Sequence, residues 1–474
     1  MIKKTGVSIL LYLFSFYYSP AQVSNLEQQN IPPLNKQLAA KPPMGWNSWD
    51  CLGWGATEKE MKAAADYMAI NLKHLGYEYI VADMLWYGDK AASDFEAFVQ
   101  ETISSKPHYS VDSFGRLLPD PVKFPSSKNG KGFKPLADYM HRLGLKFGVH
   151  LMRGIPWQAY KNNMPVKGTV IGAASIGQPN NSCEWYDGIY GVDMSKPGAQ
   201  EYYNSIFILL AEWGVDFVKY DDITNVAELE AISKASRICG RDIVLSVVPD
   251  GIPDNTLKQN VHMARTGYDF WDVWEMLKRG FPVAATAVKE SAPGYWPDLD
   301  MLPIGKLGLK ISYKGPHPRI SNFNKNELHS LLTLWYISRM PLMIGGYLPQ
   351  TDPLTLKLIT NKEALEVNRN STNNRQIKFK NAHIVWGADI PQSENKYVAF
   401  FNQWESVKPI HPGITWAQLG LKGSTYKVRD LWNNKELGEF KNGFSAPIVA
   451  HGAGLFKVYK NFSINSSKKY ILVR

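Results

Sequence analysis

The amino-acid sequence predicts a (β/α)8 TIM barrel followed by an antiparallel all-β sandwich domain. Between residues 43 and 344, short apolar runs alternate with amphipathic helical stretches, which is typical of βα units around a parallel sheet. About eight such runs fit into this segment, as one barrel requires. Past Asn368 the helical period ends, and short strands joined by turns remain. A doubly wound open sheet would show the same alternation, but no Gly-rich phosphate loop follows the first strand.

Each element is predicted from its local pattern. Barrel strands are expected where the apolar runs lie, at 43–46, 77–82, 146–151, 215–220, 243–248, 261–265, 298–302 and 341–344. Amphipathic helices are expected at 58–75, 135–143, 200–213 and 225–239. Strands of the second domain are expected at 377–379, 383–386, 397–402, 426–430, 444–448 and 454–459.

The N-terminus has the pattern of a secretory signal peptide. Lys3 and Lys4 precede an apolar run at 7–18, and the small residues Ser19 and Ala21 mark a cleavage site. A buried N-terminal helix is the alternative interpretation. We therefore expect a secreted or periplasmic protein without a stable membrane anchor. The predicted organisation is a signal peptide at 1–21, a lead-in segment at 22–40, a catalytic barrel at 41–368 and a β-sandwich at 369–474.

Composition excludes several classes of function. The net charge is +10, but the basic residues are scattered without a run of five, so we expect no nucleic-acid partner. A basic surface is the plain interpretation, and an acidic polysaccharide substrate is the alternative. The three cysteines have no CxxC spacing, and HExxH and GxSxG motifs are absent from the sequence. The sequence therefore predicts neither a metal site nor a cofactor, and it contains no signal for an oligomeric state.

Two carboxylates at predicted strand ends suggest glycoside hydrolysis, which needs a nucleophile or base and a proton donor. Asp221 follows Lys219 on one strand, and a cation two residues away on the same face would keep it ionised. Asp269 follows Arg265, and apolar packing by nearby aromatic side chains could raise its pKa and make it the acid/base. The nearby aromatic residues are Phe270, Trp271 and Trp274.

Other polar residues at strand ends have both structural and functional interpretations. Asp222 is a candidate helix cap, and Asp298 and Asp300 are candidates for hydrogen bonds to the backbone of the seventh loop. His150 is either a core residue with one hydrogen bond or part of the site. With Trp46, Asp83, Lys219 and Arg265 it completes an aromatic and charged barrel mouth that fits a sugar pocket.

Several motifs in order resemble glycoside hydrolase family 27. The opening Lys41-Pro42-Pro43-Met44-Gly45-Trp46-Asn47-Ser48-Trp49 is similar to the family signature. Lys219-Tyr220-Asp221 resembles its nucleophile motif, and Arg265 with Asp269 resembles its acid/base motif. Trp296-Pro297-Asp298-Leu299-Asp300 and Ser338-Arg339-Met340-Pro341 resemble later barrel signatures. The resemblance covers residues 41–369 and, more loosely, the β-domain.

The resemblance implies a retaining mechanism with Asp221 as nucleophile and Asp269 as acid/base. It also implies that Trp46 packs on the sugar and that Lys219 and Arg265 bind ring hydroxyls. Asp83 matches the first of two adjacent acids that bind the galactose 4- and 6-hydroxyls. The pattern departs at three places: Met84 replaces the second acid, His150 replaces a pocket tyrosine, and residues 246–249 lack the acid for the 2-hydroxyl.

The expected function is therefore a retaining exo-glycosidase that hydrolyses terminal α-D-galactosidic bonds, with a modified or anionic galactan as one candidate substrate. The alternatives are the same mechanism on another sugar, an α-glucan or a β-L-arabinopyranoside, or a non-catalytic glycan-binding protein. The expected partner is an oligo- or polysaccharide.

Overall fold

The computed structural model describes residues 31–88, 106–310, 318–380, 382–405 and 408–460. The chain divides into two units, Met1–Pro33 and Leu34–Arg474. The predicted signal peptide at 1–21 lies outside the described residues. Everything that follows concerns the second unit.

The first half of this unit is a parallel eight-stranded sheet whose strands follow one another in sequence order. They are β1 Met44–Asn47, β2 Tyr79–Ala82, β3 Lys146–Met152, β7 Phe217–Ile223, β8 Val244–Pro249, β9 Met263–Arg265, β10 Trp296–Asp298 and β13 Leu342–Ile344. β13 pairs with β1. Leu302, which follows β10 at the other edge of the sheet, forms a parallel bridge to Ile344 of β13, so the two edges of the sheet meet there. The predicted (β/α)8 fold class is confirmed.

Helices surround this sheet because their apolar faces need a core. They are α1 Trp49–Leu52, α2 Glu58–Asn71, α3 Lys134–Arg142, α4 Trp157–Lys161, α5 Ala199–Trp213, α6 Val226–Ile238, α7 Asp254–Asn260, α8 Trp274–Ala287, α9 Lys325–Ile337, α10 Pro353–Ile359 and α11 Lys362–Asn370. Their ends follow local rules: Thr57 and Glu60 form a capping box on α2, and Gly214 ends α5 in the left-handed region.

Two small sheets interrupt the barrel at the ends of its strands. β4 Ile155–Pro156, β5 Gly177–Cys183 and β6 Tyr186–Val192 form an antiparallel insert after β3. β11 Lys306–Leu307 pairs with β12 Arg319–Ile320 after β10. Neither sheet was predicted. The insert matters for function because it carries Trp185 to the mouth of the barrel.

The second half is an antiparallel sandwich, as predicted. A six-stranded sheet is formed by β14 Thr372–Lys380, β15 His383–Asp389, β16 Lys396–Asn402, β18 Thr425–Asp430, β19 Lys435–Lys441 and β21 Ala453–Tyr459. A separate pair, β17 Gly413–Thr415 and β20 Gly443–Ser445, covers one face of it, and Phe400 packs with Phe444 in the core between them. The predicted boundary at 368/369 falls in the last turn of α11 and stays a prediction.

The seventh strand differs most from its prediction. β10 ends at Asp298, whereas the sequence pattern suggested 298–302. Asp300 takes a φ of 87°, which ends an extended strand, and its backbone N–H donates to Asp298 Oδ1 at 3.0 Å. The residues after β10 therefore form a turn at the mouth of the barrel.

Candidate active site

A cavity of about 330 Å³ opens at the carboxyl ends of the barrel strands, where barrel chemistry gathers. Six of the seven predicted site residues line it, namely Asp83, His150, Lys219, Asp221, Arg265 and Asp269. The strand register explains part of this arrangement, since His150 on β3 lies beside Lys219 on β7, and Lys219 lies beside Ser246 on β8. The sequence-based interpretation of these side chains as one site is thus consistent with their positions.

Asp83 directly follows β2 and is held in a fixed orientation. Its Oδ2 accepts from Asn47 Nδ2 at 2.6 Å and from Lys219 Nζ at 3.1 Å, and its Oδ1 accepts from the Met84 backbone N–H at 2.8 Å. Burial opposes ionisation, but the charges of Lys219 and His150 together with these hydrogen bonds hold the pKa of Asp83 below its usual range. Asp83 is therefore an ionised acceptor in the cavity wall.

Asp221 is an ionised carboxylate at the end of β7. His150 Nε2 lies 3.2 Å from its Oδ2, and the Asp222 backbone N–H donates to its Oδ1 at 2.8 Å. Burial would raise the pKa, but the hydrogen bond and charge of His150, followed by Lys219 and Arg265, lower the pKa of Asp221 well below its usual range. The group thus has the charge state that a nucleophile needs.

Asp222 supports this geometry and does not cap the next helix. Its φ is 58°, an uncommon value for a non-glycine residue that turns the chain directly after Asp221. Arg153 holds it with an ion pair from Nη2 at 3.0 Å and a bond from Nε to its carbonyl oxygen at 2.7 Å. The cap of α6 is Asn225, whose Oδ1 accepts from two backbone N–H groups. The prediction of a cap at Asp222 was wrong because the Asn side chain occupies that place.

Asp269 lies at the rim of the cavity, with its side chain about half exposed. Arg265 bridges two carboxylates, with Nη2 2.7 Å from Asp269 and Nη1 2.6 Å from Asp300. Partial burial, and then repulsion from Asp300 and Asp221, raise the pKa of Asp269, while attraction to Arg265 counteracts them. The pKa values of Asp221 and Asp269 are therefore shifted in opposite directions, as expected of a nucleophile and a proton donor.

The aromatic surroundings of Asp269 match the prediction in part. Phe270 and Trp271 line the cavity. Trp274 instead stacks on His451 of the sandwich, with ring centroids 4.0 Å apart. The apolar wall at Asp269 is therefore built from the two residues that directly follow it.

Asp298 and Asp300 make the backbone hydrogen bonds predicted for them. Asp300 accepts from the N–H groups of Phe270 at 3.0 Å and Met301 at 2.8 Å, and Asp298 accepts from that of Asp300. Asp300 also lines the cavity, so it has both a structural and a site position. Burial, with repulsion from Asp300, raises the pKa of Asp298 to about 7.

Trp46 is not placed as the sequence suggested. Its side chain is fully buried in β1, and its indole N–H donates to the Gly346 carbonyl at 2.8 Å. Trp49, three residues later in the same motif, lines the cavity instead. The aromatic wall of the cavity is therefore formed by Trp49 and not by Trp46, because Trp46 lies within β1 and Trp49 lies just beyond its C-terminal end.

Asp50 lines the same cavity and was missed by the sequence analysis. It is buried, and its Oδ2 has no hydrogen-bond partner among the described residues. Its carboxyl packs against Gly345, where a Cβ would clash. Burial, and then repulsion from Asp300, raise its pKa well above the usual range. An unsatisfied polar atom in a cavity wall is costly unless a ligand completes it.

Comparison with known proteins places this site in a family. Residues 187–370 match the family model described as Alpha galactosidase A, and residues 380–458 match the Alpha galactosidase C-terminal beta sandwich domain. The solved structure of a family 27 β-L-arabinopyranosidase from Geobacillus stearothermophilus is 42% identical, covers 90% of this chain and 98% of its own, and superposes with a TM-score of 0.85. This chain belongs to glycoside hydrolase family 27.

Other relatives of this family 27 enzyme have different activities. The structure of a putative α-N-acetylgalactosaminidase from Bacillus halodurans is 38% identical over 90% of this chain and all of its own, with a TM-score of 0.79. The α-galactosidase of Cyamopsis tetragonoloba is 27% identical over 88% of this chain and 86% of its own. The chain is therefore a glycoside hydrolase acting on O-glycosyl bonds, as predicted.

All three departures from the family pattern line the cavity of this enzyme, with His150 next to Asp221. Met84 lies beside Asp83 in the wall, and Val248 at the end of β8 contributes an apolar surface.

Cys51, Cys183 and Cys239 are all free. Within the described ranges, no helix is long and apolar enough to cross a membrane, and no group of His, Cys, Asp and Glu is arranged to hold a metal ion.

Proposed function

We propose that this enzyme removes terminal sugars with the galacto ring configuration by double displacement, and that β-L-arabinopyranosides are better substrates than α-D-galactosides. Asp221 attacks the anomeric carbon while Asp269 protonates the leaving oxygen, and Asp269 then activates water. The opposite pKa shifts of these two carboxyls support the assignment. A retaining mechanism requires the carboxyls to be roughly 5–5.5 Å apart.

The charged wall positions the sugar. Ionised Asp83 accepts hydroxyl protons, while the Lys219 ammonium and the Arg265 guanidinium donate to hydroxyl oxygens. Burial disfavours the charge of Lys219, but Asp83 and then Asp221 raise the pKa of its ammonium, so it remains a donor. Trp49 supplies an apolar face for the ring, in the role first expected of Trp46.

Met84 is the observation that supports the arabinopyranoside over the galactoside. β-L-arabinopyranose has the ring configuration of α-D-galactopyranose but carries no hydroxymethyl group on C5. Met84 is only 3% exposed, and its thioether sulfur is at best a weak acceptor for a 6-hydroxyl, unlike a carboxylate. A buried hydroxyl left without a partner costs about 1–3 kcal/mol, and the arabinopyranoside avoids this cost. The 42% identical β-L-arabinopyranosidase from Geobacillus stearothermophilus supports the same choice.

α-D-Galactosidase activity is the second candidate, because curated α-galactosidases from Cyamopsis tetragonoloba and Arabidopsis thaliana are 27% and 26% identical over most of this chain. A non-catalytic binder would have no need of the opposed pKa values at Asp221 and Asp269. Export through residues 1–21 also belongs to this proposal and rests on the sequence pattern alone.

The test is hydrolysis of a nitrophenyl glycoside panel by the purified chain. The β-L-arabinopyranoside should give the highest kcat/KM, followed by the α-D-galactopyranoside. Asp221→Asn should reduce turnover by several orders of magnitude, whereas Glu394→Gln, at an exposed turn of the sandwich, should not change it. A higher kcat/KM on the galactoside would contradict the proposed preference, and turnover that survives Asp221→Asn would contradict the mechanism.

A further inference from the structure

A second and larger groove opens beside the active-site cavity. It has a volume of about 1140 Å³ and shares Val248, Arg265, Asp269 and Trp271 with the cavity. Its walls come from the loops that follow β8 and β9 and from one side of α8. Asp221 lines the cavity and, among the described residues, does not line the groove. The two spaces therefore meet at the acid/base, and only the cavity contains the nucleophile.

This position identifies which part of a substrate would occupy the groove. Asp269 must reach the oxygen that leaves when Asp221 attacks, so the leaving group lies at the acid/base, on the face of the anomeric carbon opposite the nucleophile. The groove begins at that point. A saccharide chain attached to the departing oxygen would extend along it, with Trp271 forming part of both spaces.

The rim of the groove carries an exposed aromatic ring directly next to the acid/base. Tyr268 is 96% exposed, which makes it the most exposed aromatic residue among the large hydrophobic side chains of the described chain. It follows Gly267, around which a Cβ would meet only open space. An aromatic ring held in water beside a catalytic residue offers an apolar face on which a sugar ring can stack.

The charge of the groove is acidic. Asp250, Asp254 and Glu290 line it, and the one cation in its described lining is Arg265, which Asp269 and Asp300 already hold. Lys258 pairs with Glu290. Neither Asp250 nor Asp254 forms an ion pair within the part of the chain that the structure describes. A wall with one sign of charge repels a ligand of that sign.

We infer that this leaving-group groove, formed by Asp250, Asp254, Tyr268 and Trp271, binds neutral sugar units attached to the departing oxygen and discriminates against carboxylated or sulfated ones. The inference rests on the proposed function and adds the substrate class. It also favours a neutral glycan over an anionic galactan. The anionic galactan was suggested by the net charge of +10 on the whole chain, but the groove itself is acidic.

The first experiment measures whether Tyr268 contacts leaving-group sugars. The substrates are the nitrophenyl glycoside preferred by the panel and a trisaccharide with the same terminal sugar on two neutral hexose units. The quantity compared is kcat/KM on the trisaccharide divided by kcat/KM on the nitrophenyl glycoside. Tyr268→Ala should lower this ratio about tenfold. The matched control Phe379→Ala removes an aromatic ring that is 54% exposed on β14 and should not change the ratio.

The second experiment measures charge selectivity. A trisaccharide with a carboxylate on its middle unit should be cleaved at least tenfold less efficiently than the neutral one by the wild-type enzyme. The Asp250→Asn/Asp254→Asn double variant should reduce that gap at least threefold, and added salt should reduce it in the wild type. A ratio that changes less than twofold with Tyr268→Ala, or equal cleavage of the neutral and anionic trisaccharides, would overturn the inference.

These outcomes are separable from a failure of the proposed function. If the nitrophenyl glycosides are hydrolysed and the trisaccharide ratios do not respond, the groove assignment is wrong while the catalytic assignment stands. If no nitrophenyl glycoside is hydrolysed, the proposed function is wrong and the groove inference falls with it.

Discussion

Replacing Met84 with aspartate should move the sugar preference from the β-L-arabinopyranoside toward the α-D-galactoside. Met84 directly follows Asp83 and lines the cavity at 3% exposure, so a carboxylate there would face the substituent on C5 of a bound sugar. A hydrogen bond from a hydroxyl to a charged group is worth about 1.5–3 kcal/mol. At 1.4 kcal/mol per factor of ten, this predicts a 10- to 150-fold change in selectivity.

We also expect Met84→Asp to destabilise the folded enzyme, for a reason that the site shows. Asp83 is already ionised beside Lys219, and a second buried carboxylate would repel it, so we expect lower stability and a lower kcat on both sugars. For this reason the quantity to compare is the ratio of kcat/KM on nitrophenyl α-D-galactopyranoside to that on nitrophenyl β-L-arabinopyranoside. The ratio cancels losses that affect both substrates equally.

Met84→Leu is the matched control because it keeps the volume and removes the thioether without adding an acceptor. Its ratio should stay within about twofold of the wild type. If Met84→Asp and Met84→Leu give ratios within threefold of each other, the side chain at position 84 does not contact the C5 substituent. The argument for the arabinopyranoside then fails.

Three further predictions concern the carboxyls around the cavity. Asp300→Asn should move the alkaline limb of the kcat/KM profile to lower pH, because Asp300 raises the pKa of Asp269; an unchanged limb would refute this link. Asp50→Ala should lower kcat/KM by about 10- to 100-fold without lowering Tm if the unpartnered carboxyl binds a substrate hydroxyl, and a change under twofold would exclude that role. Asp298→Asn should raise Tm more at pH 8 than at pH 5. The folded pKa of about 7 exceeds the unfolded value of about 4, so wild-type stability falls as the pH rises from about 4 to about 7, by about 4 kcal/mol in all and by about 2.7 kcal/mol above pH 5. Equal Tm gains at the two pH values would contradict this reasoning.

The barrel could be predicted because its strands are buried on both faces and therefore appear as continuous apolar runs. The first six observed barrel strands begin and end within three residues of the predicted ones. The seventh was displaced because Asp300 turns the chain in the left-handed region, and a single sequence carries no signal for that backbone conformation at an aspartate.

The missed strands share a lack of apolar alternation. β5 has the sequence Gly-Gln-Pro-Asn-Asn-Ser-Cys, which is typical of a turn, and β19 is an exposed edge strand rich in Lys and Glu. Hairpin pairing, with β6 and β18 respectively, makes them strands. Each partner is the neighbouring strand along the chain, so these hairpins depend on backbone hydrogen bonds between adjacent segments and leave no apolar alternation for a sequence pattern to detect.

The candidate site was predictable where it depended on strand ends. Asp83, His150, Lys219 and Asp221 converge because parallel strands bring their carboxyl ends to one edge. The choice between Trp46 and Trp49 could not be predicted, because one motif contains both indoles. Only the path of the chain determines which of the two is buried. Asp50 directly follows the same motif, but nothing in its local sequence indicates that its carboxyl lacks a partner.

The central claim is a double displacement carried by Asp221 and Asp269, and the anomer of the first product tests it most directly. Proton NMR during early hydrolysis of nitrophenyl β-L-arabinopyranoside should show β-L-arabinopyranose first, followed by mutarotation to the equilibrium mixture. First release of the α-anomer would show a single displacement by water and would contradict the assignment of Asp221 as nucleophile.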